Sequence, residues 1–209
     1  MEKRIITIAR QYSSGGLKVG KRLAEEMGIS CYDSEMFRIV SSGQNMRDKD
    51  VAHDDRIKDT ALFDVARERY KDYGEEGLAT DMDDILPFRN IYDYQSDIIR
   101  SLAEKEPCVL VGRCADYILK DRNDVLRVFI HAPMEFRLKR ASSVHVMPEA
   151  ELNAYIIKKD EKKAAYYHEY TGGNWDSAEN YDLSLNTAEL GIHGCVDRIM
   201  AYLQILKNE

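Results

Sequence analysis

Arg10, Lys18, Arg113, Arg137, Arg140 and Lys163 are cations whose positions suit a phosphoryl group on its way from one molecule to another. Arg113 follows Gly112, which lets the backbone turn sharply just past an apolar run; a guanidinium there can fork onto a phosphate. The alternative for Arg113 is an ion pair with Asp116 or Asp33. Arg137 and Arg140, three residues apart, share one helix face. Lys158, Lys159, Lys162 and Lys163 surround Asp160 and form either a basic wall over a polyphosphate or a solvated face. Phosphoryl transfer asks a protein to hold donor and acceptor in line, exclude water and place positive charge on the migrating group. No general base is demanded.

Other chemistries find less support. The five histidines are scattered and no two have metal-ligand spacing. Ser13 and Ser14 lack evident His or Asp partners, which suits phosphate donors better than nucleophiles. Four cysteines, Cys31, Cys108, Cys114 and Cys195, form no Cys-x-x-Cys pair and read as buried thiols in a reducing cytoplasm. A net charge of -7 argues against a general binder of nucleic-acid polymers. No apolar run reaches membrane-spanning length and no signal peptide is evident, so a cytoplasmic protein is expected. Tyr155, Tyr166, Tyr167, Tyr170 and Trp175 either stack a base or pack a helix and its following loop.

The elements that must position these residues alternate. With 209 residues, 44% of them hydrophobic, the chain supports a single domain. Strands are expected in the β-branched run that starts at Arg4 and ends at Arg10, and at 29–33, 108–112, 125–130 and 182–186; the runs Cys108-Val-Leu-Val and Val125-Leu-Arg-Val-Phe-Ile suit a parallel sheet covered on both faces. Ser34 is the expected cap of the second helix. Later helices run from Pro87 to Glu104, Pro133 to Ser142, Pro148 to Tyr170 and Leu190 to Leu206. Such alternation predicts a doubly wound sheet with its ligands outside the carboxyl ends of the strands. From Ser41 to Asp84 the apolar pattern weakens: helices are expected around Asp48 to Asp59 and Thr60 to Tyr73, in a mobile inserted lobe or a solvated helical surface.

The first strand runs into Ser13-Ser-Gly-Gly16 and then a helix, a unit whose loop amides and helix N-terminus suit a phosphate. Compared with the P-loop pattern G-x-x-x-x-G-K-[ST], Gly15 takes the second glycine, Gly16 stands where the lysine belongs and Leu17 where the Mg²⁺-binding hydroxyl belongs. A phosphate-binding loop by context thus fails the pattern by residue. Lys18 or Arg10 is expected to supply the missing cation.

Ile8-Ala-Arg-Gln-Tyr-Ser-Ser-Gly-Gly, Gly20-Lys-Arg-Leu-Ala, Tyr32-Asp-Ser, Val109-Leu-Val-Gly-Arg-Cys-Ala-Asp-Tyr, Arg127-Val-Phe-Ile-His-Ala-Pro and the late Lys-Lys-Asp-Glu-Lys-Lys occur in an order that resembles the cytidylate kinase-like proteins of the P-loop nucleoside monophosphate kinase superfamily. The resemblance covers nearly the whole chain. It implies a P-loop NTPase-type three-layer α/β/α fold with a five-stranded parallel sheet, an acceptor lobe at about 41–86 and a lid at about 142–180. It implies ATP with Mg²⁺ and a small phosphorylated acceptor as ligands. Asp33, Arg38, Arg113 and Asp116 would serve the acceptor, Arg10, Ser13, Ser14, Gly15, Gly16 and Lys18 the nucleotide's phosphates, and Lys159, Asp160 and Lys163 the lid. Lysine in a lid keeps the charge but loses the planar fork of arginine. A nucleotide-sensing protein that kept the pocket and lost turnover is the rival expectation, and a kinase for another small metabolite a third.

Overall fold

The computed structural model describes residues 3–41, 57, 60–77 and 89–208. Five strands form one sheet: β1 (Ile5–Arg10), β2 (Ser30–Asp33), β3 (Cys108–Val111), β4 (Val125–His131) and β5 (Leu183–Asn186). Their order is β2-β3-β1-β4-β5 and every pairing is parallel. With β1 in the middle, all five carboxyl ends open on one edge. That edge carries Arg10, the loop before α1, Asp33 and the Gly112-Arg113 turn.

Alternation along the strands divides the core. Ile5, Cys108 and Leu110 point to one face, where α2 (Ser34–Ser41), α3 (Ala61–Gly77) and α4 (Arg89–Lys105) bury Phe37, Leu62, Tyr94, Ile98 and Leu102. Ile6, Ile8, Val109 and Val111 point to the other, where α1 (Gly16–Met27) and α8 (Thr187–Asn208) bring Leu23, Val196 and Ile199. This is the three-layer α/β/α arrangement with helices on both faces of a parallel sheet. Between β3 and β5 lie α5 (Ala115–Ile118), α6 (Met134–Ser142) and α7 (Glu149–Thr171). A small third cluster, with Ala141, Leu152 and Ile156 at its centre, joins α6 to α7.

Several expectations change. Asp33, not Ser34, caps α2: its Oδ1 accepts from the amides of Glu35 and Met36 at 2.9 and 3.1 Å. The last helix begins at Thr187 and is interrupted at Gly191, whose φ of 67° breaks the helical run. The middle of the weakly patterned stretch is not short of core, because Ile57, Leu62, Val65 and Ala66 are all buried. Leu62, Val65 and Ala66 keep helical spacing among charged neighbours, so one face of α3 docks while the sequence average looks polar. The helix expected near Asp48 to Asp59, Ile57 apart, and the acidic run 81–84 lie outside the described residues. Among the described residues all four cysteines are free thiols, and no helix is long and apolar enough to cross a membrane.

Candidate functional site

The loop from Gln11 to Gly15 is fixed from several sides. Gln11 donates its amide to the Ile130 carbonyl, Ser14 Oγ donates to the Gln11 carbonyl at 2.9 Å, and Thr187 Oγ1 donates to the Ser14 carbonyl at 2.5 Å. Ser13 and Gly15 take positive φ, 60° and 95°, and so turn the chain into α1. Among the described residues, the amides of Ser13, Gly15, Gly16, Leu17 and Lys18 meet no acceptor in the protein. Three of these are the orphan donors of the first helical turn, and the loop adds two more. Such a set of amides at the positive end of a helix suits a phosphate. Arg140 adds charge: its two terminal nitrogens lie over Gly15, 3.0 Å from where a Cβ would be, and no hydrogen bond holds them among the described residues.

A second concentration of charge lies where β1, β2 and β3 end. The Arg10 guanidinium crosses the face of Gly112, with Nη1 2.0 Å from the position a Cβ would take, and donates to Ser34 Oγ at 3.0 Å. Arg113 donates to the carbonyl of the same Ser34 at 3.2 Å, while its Nε is buried without a partner. Neither arginine forms an ion pair among the described residues, so the ion pairs with Asp116 or Asp33 weighed for Arg113 do not exist. Burial first, and the nearby Arg113 second, lower the Arg10 pKa to about 10. Gly112, Arg113 and Cys114 have φ of 85°, 59° and 53°, three successive left-handed residues, two of them with side chains. Strain of this kind costs on the order of 1–2 kcal/mol per non-glycine residue and collects at functional sites.

Across the top lies α7. Asp160 accepts from the Tyr12 amide at 2.6 Å, from Lys163 Nζ at 3.1 Å and from Arg137. Lys163 also donates to the Arg10 carbonyl at 3.1 Å. Its pKa falls to about 8, chiefly through burial and then through the charge of Arg10. Tyr12 extends the contact, packing edge-on against Tyr155 and sharing a hydrogen bond with His145 at 2.8 Å.

The remaining candidates sit as follows. Lys18 is exposed on α1, away from these contacts, and Arg10 turns towards Gly112; neither takes the place of the absent lysine. Gly16 itself leaves no room, since its Cβ would lie 2.4 Å from Cβ of Arg10. Ser14 is fully buried and its hydroxyl is committed to the loop. Asp33 divides its carboxylate between the α2 cap and Lys21, 3.6 Å away. Arg38 is on the exposed side of α2, paired with Glu35. Asp116 is buried and accepts from Tyr167 at 2.9 Å; burial raises its pKa. Lys159 lies over the Tyr155 ring, outside the Asp160 cluster. The tyrosines pack: Tyr92 stacks on Tyr170 at 4.0 Å, and Trp175 meets Phe129 edge-on. Sequence reading missed Ser34 as the anchor of two guanidiniums and Tyr12 as the loop's link to α7. The only signal for either was its neighbourhood, a polar residue after Asp33 and a tyrosine within the loop.

A metal ion finds no ready ligand set. Among the described residues no three His, Cys, Asp or Glu side chains gather, Leu17 has no hydroxyl, and that of Ser14 is buried and engaged. The amide set fits phosphates, and a Mg²⁺ arriving with the nucleotide would rest mainly on its phosphates and water.

A family model described as the cytidylate kinase-like family matches residues 5–189. Over 203 residues the chain is 25% identical to a cytidylate kinase from Methanosarcina mazei, covering 96% of this chain and 97% of that protein. Over 133 residues it is 27% identical to a cytidylate kinase from Halobacterium salinarum, 59% of this chain and 69% of that one. An uncharacterized protein from Eubacterium ventriosum is similar in structure, with a TM-score of 0.70 and 24% identity over 96% of this chain and 98% of that one. A shikimate kinase from Bacteroides thetaiotaomicron shares the fold at a TM-score of 0.51 and 18% identity, with coverage of 96% and 98%.

Proposed function

The chain belongs to the cytidylate kinase-like family, and from that premise we propose that it is an ATP-dependent kinase that transfers a phosphoryl group to a nucleoside monophosphate. The observation that carries this reading is the set of five unengaged amides from Ser13 to Lys18, at the carboxyl edge of a parallel sheet, beneath Arg140. Backbone donors bind phosphate without a lysine, which answers the mismatch at Gly16.

In this reading the 11–18 loop and Arg140 hold the phosphates of ATP. Arg113 grips the acceptor's phosphate, Asp33 and Arg38 open the acceptor lobe at about 41–86, and Asp116 supports that side. The segment at about 142–180 is the lid, through which Lys159, Asp160 and Lys163 bring charge and exclude water. Arg137 orders Asp160 from below. The reaction gains from position and positive charge, with no step assigned to a protein-held metal. A cytoplasmic location, with a nucleotide and a small phosphorylated acceptor as partners, belongs to the same proposal and accords with the four free thiols.

Steady-state turnover of ATP against CMP, dCMP, UMP, AMP and a panel of small metabolites, beside a titration of ATP with and without Mg²⁺, tests it. Turnover with one nucleoside monophosphate is the expected result. Nucleotide binding without turnover for any acceptor would replace the kinase by a nucleotide-binding protein, and no nucleotide binding at all would overturn both.

A further inference from the structure

We propose that Arg10 belongs to the acceptor side of the site, forming with Arg113 a paired-guanidinium clamp for the phosphate of a nucleoside 5′-monophosphate. This rests on reading the 11–18 loop as the donor's cradle. The direction of the side chain is the first argument. Cβ and Cγ of Arg10 fill the space beside Gly16, and the guanidinium then runs away from the loop to Gly112, which belongs to the turn after β3. It ends on Ser34, the residue after β2. Arg113 reaches the same residue from the other side, one arginine donating to the Ser34 hydroxyl and the other to its carbonyl.

The second argument is electrostatic. Two guanidiniums anchored on one serine repel each other, and no described carboxylate pairs with either. Asp33, the acidic residue that ends β2, has one oxygen on the α2 amides and the other towards Lys21. Asp160 is taken up by Tyr12, Arg137 and Lys163. Half-buried charges of one sign, whose neighbouring carboxylates Asp33 and Asp160 are engaged by other groups, gain from an anion that joins them. A dianionic phosphate monoester supplies both the charge and the acceptors, and the partnerless Nε of Arg113 marks a donor still open to it. Burial and then the charge of Arg113 lower the Arg10 pKa, and the more distant Asp33 and Asp160 offset this only in part.

The third argument is the fixing of Arg10 by glycine. A side chain at 112 would collide with Nη1 of Arg10 at 2.0 Å and with Ser34 Oγ at 2.7 Å, so the bare Cα of Gly112 is what lets the guanidinium lie flat across the turn. A cation meant for the donor's phosphates would have no use for that channel.

Calorimetric titrations of the full chain decide the matter, with inorganic phosphate, the 5′-monophosphates CMP, dCMP, UMP and AMP, and ADP as probes. Wild type is compared with Arg10→Gln, which keeps the stem and a donor while removing the charge, and with Ser34→Ala, which releases the anchor. Arg10→Gln is expected to weaken the best-bound monophosphate about 10- to 100-fold and to change ADP by less than about threefold. Ser34→Ala should show the same selectivity to a smaller degree, and reads the clamp even where Arg10→Gln does not fold. A loss confined to ADP, equal losses for both classes, unchanged binding of every probe, or wild type that binds neither phosphate nor any monophosphate would each overturn the clamp. If wild type fails to bind ADP while its monophosphate affinity depends on Arg10, the kinase reading falls and the clamp stands.

Discussion

Gly16→Ala tests whether the strand-end arginine and a side chain at the lysine's usual place exclude each other. A Cβ on Gly16 would lie 2.4 Å from Cβ of Arg10, 2.9 Å from its Cγ and 3.3 Å from Cβ of Ile130. The nearest atom is the first carbon of a side chain, which moves only with its backbone, and β1 is paired on both edges by β3 and β4. Overpacking of a well-filled site costs about 1–3 kcal/mol, and a contact this short belongs in the upper half of that range. In a chain of this size the melting temperature should fall by roughly 4–10 °C. Helix propensity works in the opposite direction, favouring alanine over glycine by about 1 kcal/mol inside a helix, so a net loss identifies the collision as its cause. Urea denaturation of Gly16→Ala, Arg10→Gly and the double variant, followed by circular dichroism without nucleotide, gives the coupling directly. With Arg10 removed, the alanine should become neutral or stabilising. A Gly16→Ala variant within about 0.5 kcal/mol of wild type in the parent background would refute the exclusion.

Asp160→Ala leaves the buried Arg137 without its carboxylate and frees the Tyr12 amide. A loss of about 3 kcal/mol and faster amide exchange along Glu149–Thr171 are expected, and unchanged exchange there would show that Asp160 does not tie α7 down. Arg113→Ala should weaken acceptor or anion binding by about 2–5 kcal/mol with a much smaller effect on folding, as calorimetry and thermal melts together report. Lys163 carries a pH signature. Its folded pKa of about 8 lies below that of an unfolded lysine, so the unfolded chain binds the extra proton between about pH 8 and 10.5 and stability rises with pH across that window. Because the buried cysteines and tyrosines have raised pKa values and lower stability above about pH 9, the measurement is a difference. Wild type should gain on Lys163→Met as pH rises from 8 towards 10, and a constant gap would deny the titration.

The strands could be read in advance because a parallel strand covered on both faces is largely apolar, as Cys108-Val-Leu-Val is and as Val125-Leu-Arg-Val-Phe-Ile is apart from the half-buried Arg127. The position of Arg113 was legible for a related reason: a glycine after such a run marks a strand end, and Arg113 does follow β3 at the carboxyl edge of the sheet. The Asp160 hub was not, since its partners lie 23 and 148 residues away in sequence and only the packing of α7 brings them together. The lysines around Asp160 look alike in sequence, yet the phase of the helix turns Lys163 inward and leaves Lys158 and Lys162 exposed. Ser34 has the local signature of a helix cap, but its hydroxyl is held by Val111 and Arg10, both distant in the chain. Positions 10 and 16 compete for one volume, which their spacing in the sequence does not display.

That competition restricts the order in which substitutions can accumulate. Between a loop with glycine at 10 and a lysine at 16, and the loop seen here, two single-step routes exist. Acquiring Arg10 first passes through a chain in which both side chains claim the same space, whereas losing the lysine first passes through one with an open loop and amides still able to bind phosphate. Position 112 joins the set, because only a residue without Cβ lets the new guanidinium pass. Natural variation at 10, 16 and 112 should therefore be correlated, with glycine at 112 already in place before an arginine settles at 10.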